Sequence, residues 1–173
     1  MDAYETIATK LDVREFASKP VPGTAKRAIL DAARLTGSSM NTQHWRFILV
    51  QDRSRLTRLA ADSTSGKWVA NADFAVIIVT NPKVPGYTVD AGRVLQDMEL
   101  AAWNLGVASC LFTGIRQSEL HRDFEIPPDL EVPAVLGFGY PRRETKGKKD
   151  RKPLGDLAYL EKFGSRLSPD DLA

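Results

Sequence analysis

Apolar positions change their period several times along this chain, and each change marks an element. Residues 2–11 carry Tyr4, Ile7, Ala8 and Leu11 at helical spacing. Pro20-Val21-Pro22-Gly23 breaks that pattern. Thr24 is the expected N-cap of a second helix, in which Ala25, Ala28, Ile29, Ala32, Ala33 and Leu35 lie near one face and which Gly37 ends. A polar, uncharged loop follows over residues 37–43. Residues 45–51 (WRFILVQ) read as a strand, 54–61 as a short helix and 67–70 as a further helical turn. Residues 74–80 (FAVIIVT) are an apolar, largely β-branched run, expected as a strand buried on both faces. A connection with two prolines spans 81–88. The remaining strands fall at 108–112 and 132–139, with a helix at 117–123 that Arg116 or Gln117 caps weakly. The tail beyond Lys152 holds Leu154, Leu157, Tyr159, Leu160 and Phe163, so it is expected to pack. The order is mixed, with more helix than strand and no repeat or linker, which predicts one domain over 1–173.

The longest helix is the most unusual. Asp90 is its expected cap, and it runs to about Leu105. Ala91, Val94, Leu95, Met98, Ala102 and Leu105 share one face. Leu100, Trp103 and, just past the end, Val107 gather on the opposite side. Only Arg93, Asp97 and Asn104 form a narrow polar strip, with Glu99 isolated. A surface helix has one wet side, whereas this one is covered on two. A second subunit in an isologous dimer accounts for that, and so does burial within a monomer.

Composition narrows the class. Hydrophobic residues make up 43% and charged residues 27% of 173, which is ordinary for a globular chain and not for a disordered one. The single cysteine permits no internal disulfide and fits a reducing, cytoplasmic setting. The first ten residues carry Asp2, Glu5 and Lys10 and lack a signal peptide's apolar run, and no stretch approaches membrane-spanning length. A net charge of +2 does not imply nucleic-acid binding. Positive charge does concentrate in residues 141–153 (PRRETKGKKDRKP). That run is either a solvated loop or an anion site, and it lacks the interleaved aromatics of a single-strand binder.

Most catalytic chemistries are then excluded. His44, His121 and Cys110 have no metal-site spacing, so no metal is expected. Cys110 reads as a buried apolar residue. Ser38-Ser39 has no evident His and Asp partners, and there is neither a P-loop nor a GxGxxG. No acid–base dyad is visible, and no catalytic side chain is assigned. What remains suits a large anionic cofactor. Lys10 and Arg14 lie four apart, Lys149 and Arg151 two apart, and guanidinium and ammonium groups match a phosphate monoester. Ser38, Ser39, Asn41 and Gln43 offer uncharged donors and acceptors. Taken singly, each of these also reads as a surface charge or a turn residue.

Order and spacing join them. Lys10-Leu11-Asp12-Val13-Arg14-Glu15-Phe16 precedes Pro20-Val21-Pro22, and Gly37-Ser38-Ser39-Met40-Asn41-Thr42-Gln43-His44-Trp45-Arg46-Phe47 follows the second helix. Asp90 and Gly92 open the long helix that ends at Leu105-Gly106, Cys110 to Ile115 carry the next strand and loop, and Lys149 and Arg151 precede Pro153-Leu154. Over nearly the whole chain this resembles the nitroreductase superfamily of FMN-dependent oxidoreductases, whose members show R-R-[SD]-V-R-x-F and then S-S-x-N-x-Q-P-W-x-F.

The resemblance implies an α+β fold, a mostly antiparallel sheet flanked by helices, in an intertwined homodimer that exchanges terminal segments. It places Lys10, Leu11, Asp12 and Arg14 at the FMN phosphate, ribityl or pyrimidine edge, and Lys149 and Arg151 on the phosphate. Gly37, Ser38, Ser39, Asn41 and Gln43 would reach the same FMN from the other subunit. Thr113 and Gly114 would lie beside the ring, where a backbone N–H meets flavin N5. The implied reaction is ping-pong: NADH or NADPH reduces the flavin, and a nitroaromatic, quinone or similar acceptor reoxidises it. Three departures stand out. Lys10 and Leu11 replace an arginine pair, which weakens the phosphate contacts of that segment. His44 replaces a proline and either touches substrate or packs beside Trp45. The chain is short between Gly66 and Asp90, a region that covers the substrate in relatives. Two rival readings are an oxygen-dependent enzyme that fragments reduced FMN to a benzimidazole, whose Arg-Asp-Val-Arg opening is similar to Leu11-Asp12-Val13-Arg14, and a non-catalytic flavin carrier.

Overall fold

The computed structural model describes residues 1–145 and 149–173; residues 146–148, the middle of the basic run, lie outside it. Nine regular helices and strands are described: α1 (Ala3–Thr9), α2 (Gly23–Leu35), β1 (Arg46–Val50), α3 (Arg53–Ala61), β2 (Phe74–Thr80), α4 (Tyr87–Asn104), β3 (Ala108–Phe112), α5 (Gln117–Asp123) and β4 (Glu131–Gly139). The strands form one sheet in the order β1-β2-β4-β3, and every neighbouring pair is antiparallel.

β2 explains the two-sided architecture. All seven of its residues are buried, and successive side chains point to opposite faces. Ala75, Ile77 and Val79 enter a core with Leu56, Leu59, Leu120 and Phe124 from α3, α5 and the residue after α5. Phe74, Val76 and Ile78 enter a second core with Ile29, Val94, Met98 and Ala102 from α2 and α4. Phe74 lies opposite Phe138 in the register, and their rings stack at 4.7 Å.

Several boundaries differ from the pattern. Thr24 is not a cap: α2 starts at Gly23, and Pro22, with φ −59°, precedes it and presents its carbonyl to the N–H groups of Ala25 and Lys26. α2 stops at Leu35, with Thr36 rather than Gly37 as its terminus. Nor does Asp90 cap α4, which begins at Tyr87 after Gly86 turns the chain at φ 79°. α4 is covered by its own chain: Ala91, Val94, Met98 and Ala102 are buried in the second core, and Trp103 packs on the first. Leu105, expected on the buried face, is largely exposed because the helix ends before it. The tail does not pack on the body. Leu154, Leu157, Leu160 and Phe163 are exposed, and Phe163 retains 90% of its surface. The tail's described hydrogen bonds close mainly within itself, as between Leu160 and Ser165 and between Leu167 and Ala158. No described helix is long and apolar enough to cross a membrane.

Candidate functional site

β3 pairs with β4 on one side only, and the chain segment after α1 lies along its other edge. Val13 donates its N–H to the Ser109 carbonyl at 2.9 Å, Asp12 bridges Ser109 in parallel, and Phe16 bridges Pro141. This docking fixes residues 10–16 relative to the sheet. Side chains then arrive in strand order. Arg14 donates from Nε to Cys110 Sγ at 3.4 Å, and burial pushes the Cys110 thiol up, which keeps it neutral. Cys110 faces Gly137 in the register, and a Cβ on Gly137 would lie 2.6 Å from the Trp68 ring. Paired residues of an antiparallel ladder share a face, so Arg14 and Trp68 sit over neighbouring ground. Trp68 also meets Phe112 edge-on at 5.8 Å and Phe16 at 6.2 Å. Beyond Phe112, Gly114 donates its N–H to Ser65 Oγ at 3.2 Å and accepts from the Thr64 N–H at 2.8 Å.

A second cluster adjoins this row. Lys10 is buried at the end of α1, and its ammonium bonds Asp12 and Glu99 Oε1, the latter at 2.7 Å. Ser109 Oγ donates to the same Glu99 oxygen at 3.1 Å. Burial opposes the Lys10 charge, but these carboxylates outweigh it and hold the ammonium above its ordinary pKa. Lys10 therefore enters the site with its charge already matched. Lys149 donates to the Ile7 carbonyl in the last turn of α1, which brings it to the same end of that helix. Arg151 is exposed, and its described bond is to the Asp150 carbonyl. Leu11 is half-buried, and Thr113 is exposed at the end of β3.

Gly37, Ser38, Ser39, Asn41 and Gln43 form a separate group at the other end of α4. Three side chains on one face of α4 hold this loop. Asp97 accepts from Thr36 Oγ1 at 2.6 Å, the Arg93 guanidinium lies where a Cβ on Gly37 would come within 2.7 Å, and Asp90 Oδ2 accepts from the Ser39 N–H at 2.9 Å. His44 Nε2 meets the same Asp90 oxygen at 3.3 Å, and the Asn81 N–H approaches its Nδ1 at 3.5 Å. Both the His44 and Asp90 side chains are 4% exposed. Between these ties, Met40, Asn41 and Gln43 all take positive φ. Of the two roles open to His44, the structure shows packing: its ring lies 5.6 Å from that of Trp45. At about 100° per residue Glu99 lies on the side of α4 nearly opposite Asp90 and Asp97, so the two groups are held on different sides of the helix.

A profile of the nitroreductase family matches residues 7–85 and 67–140. The chain belongs to the nitroreductase family. Among nitroreductase relatives, a candidate NADH dehydrogenase/NAD(P)H nitroreductase from Methanothermobacter thermautotrophicus is 31% identical, over 94% of this chain and 88% of that protein. An NADPH-flavin oxidoreductase from Vibrio harveyi is 24% identical, over 99% of this chain and 78% of that protein. An FMN-dependent nitroreductase from Clostridium difficile superposes with a TM-score of 0.85 at 22% identity, covering 91% of this chain and 98% of that one. That last likeness establishes the shared α+β nitroreductase fold.

The nitroreductase residues present fit FMN. Trp68 Nε1 is buried without an acceptor among the described residues. Lys149 and Arg151 are bonded only to carbonyls in the described structure, which leaves their charges unmatched for a phosphate. Trp68, Ser65, Glu99 and the anchoring role of Asp90 escape the motif reading. Glu99 had a signal, as an isolated carboxylate on an apolar helix; Trp68 had none, since its place depends on Gly137 far along the chain.

Proposed function

We propose that this nitroreductase is an FMN-dependent, homodimeric oxidoreductase that draws electrons from NADH or NADPH and passes them to a nitroaromatic, quinone or similar acceptor. The observation that carries this is the row along β3, Arg14 on Cys110 and then Thr113-Gly114, with Lys149 held at the end of α1 that leads into it. The relatives named as an NAD(P)H nitroreductase and an NADPH-flavin oxidoreductase suggest the donor and the flavin. When bound, FMN supplies a ring that accepts a hydride and yields electrons to a second substrate.

The protein's own part is binding and orientation. Arg14 places positive charge at the pyrimidine edge, Lys149 and Arg151 hold the phosphate, and Thr113-Gly114 border the ring. The Gly114 N–H is bonded to Ser65, so of that pair Thr113 is the one offered as the ring's backbone donor. No side chain is required to move a proton. Gly37, Ser38, Ser39, Asn41 and Gln43 serve the site of a second copy, and their position across α4 from the Lys10–Glu99 pair favours that arrangement. Steady-state kinetics test the cycle. Parallel double-reciprocal lines for donor and acceptor are expected; intersecting lines would reject a shared, alternating site. Arg14→Ala is expected to weaken FMN binding about tenfold, the effect of one lost charge-assisted contact, as measured by flavin fluorescence.

A further inference from the structure

A cleft of about 980 Å³ opens beside Arg14, between residues 14–20, the head of α3 and the entry to β2. Arg14, Lys19, Arg53 and Arg142 line it, opposed only by Glu15 and Asp73. The Asp73 charge is already matched, by Lys26 at 3.0 Å and by the Val21 N–H at 3.2 Å. Arg53 Nη1 donates to the carbonyls of Ala70 and Ala72 at 2.7 and 3.0 Å, which steadies the guanidinium without neutralising it. Lys19 lies 4.4 Å over the Tyr140 ring. Among the described residues, Lys19, Arg53 and Arg142 form no ion pair with a carboxylate. A concave surface with this excess of cations, two of them steadied, is suited to a ligand carrying several phosphate oxygens.

We infer that this cleft takes the adenosine-diphosphate half of the nicotinamide donor, with Lys19, Arg53 and Arg142 on its phosphates. The inference rests on the flavoenzyme reading, because Arg14 belongs to both places. The cleft begins at Arg14, the residue the proposed function puts at the flavin, so a dinucleotide whose nicotinamide reaches the flavin there could lay its phosphates in the cleft. Its volume is at the upper end of ordinary small-molecule sites, about 300–1,000 Å³, and accommodates a nucleotide.

The test compares two reductants of the intact flavin-loaded protein. NADPH and NADH carry the diphosphate; N-benzyl-1,4-dihydronicotinamide carries the same reducing ring without phosphates. Lys19→Ala and Arg142→Ala are each expected to raise KM for the dinucleotides about tenfold, as loss of a charge-assisted phosphate contact does, and to leave the benzyl compound unchanged. Arg53→Lys, which keeps the charge, is expected to change KM for the dinucleotides less. Calorimetric titration with ADP supplies a readout that needs no turnover: wild type binds, and both alanine variants bind about tenfold more weakly. Equal KM changes for both reductants, no change for either, or no ADP binding by wild type would overturn the assignment. So would variants that shift only the monomer–dimer balance, since the cleft would then hold a second copy's chain. If neither reductant bleaches wild type, the flavoenzyme reading has failed, while the ADP titration still judges the cleft.

Discussion

Residues 36–44 and residues 152–173 both run outside the sheet, and both expose apolar side chains: Met40 in the first, Leu157, Leu160 and Phe163 in the second. Their backbones are held very differently. The loop keeps three non-glycine residues at positive φ, each costing roughly 1 kcal/mol, and it persists because Asp90, Arg93 and Asp97 grip it at both ends. The tail is held by bonds within itself, with Tyr159 against Phe163 at 4.6 Å and Gly164 turning at φ 98°. The tail keeps one such residue, Glu161 at φ 58°, within a turn closed by its own bonds, so the loop concentrates more strain and needs the outside anchors. Apolar surface left in water, by contrast, asks for a partner. The loop is thus held within one chain, whereas the tail's apolar row is left in water, and the proposed dimer would supply its cover.

The sharpest way to break this contrast is to delete residues 152–173, which leaves Lys149 and Arg151 in place. The largest effect is expected here: dimer dissociation strengthened by about a thousandfold or more, about 4 kcal/mol, read as half the mass by light scattering at micromolar concentration. An unchanged mass would remove the tail from the interface. Next is Asp90→Ala, which leaves the Ser39 N–H and His44 without their acceptor. A loss of about 3 kcal/mol in urea unfolding is expected, with faster exchange of the Ser39 amide; a change below about 0.5 kcal/mol would show that α4 does not hold the loop. At the other end of α4, Glu99→Gln is expected to cost about 2 kcal/mol by weakening the hold on buried Lys10. Because the folded Lys10 pKa lies above its unfolded value, that contribution is whole below the ordinary lysine pKa of about 10.4 and is lost as pH rises through the folded value. The gap between parent and variant should therefore be flat from pH 7 to about 9 and shrink in stronger alkali; a gap that stays constant through strong alkali would reject the pairing. Smallest is His44→Gln, about 1 kcal/mol, since both of its contacts are long. A large rise in acceptor KM with no loss of stability would instead return His44 to the substrate.

How much of this was legible follows from the range of the interactions. β2, β3 and α5 have the bounds their patterns predict, because period and β-branching act locally. The α4 start was misplaced because Asp90 has the chemistry of a cap, yet its carboxylate is spent on Ser39 and His44, residues brought to it only by the α2–α4 packing. The site residues in motifs could be read by order and spacing. Trp68, Ser65 and Glu99 could not, because each acquires its role through a partner set by the sheet register or by α4: Gly137, Gly114 and Lys10. The tail's apolar spacing predicted packing that this chain does not provide, since Leu154, Leu157, Leu160 and Phe163 stay exposed.

The measurement that bears most directly on the central claim is the visible spectrum of the purified protein with FMN, before and after NADH or NADPH is added without oxygen. We expect a yellow protein that retains flavin through gel filtration and bleaches with at least one of the two donors. A protein that stays colourless and takes up no added FMN, or one that binds FMN and does not bleach with either donor, would contradict the assignment of a nicotinamide-driven flavin oxidoreductase.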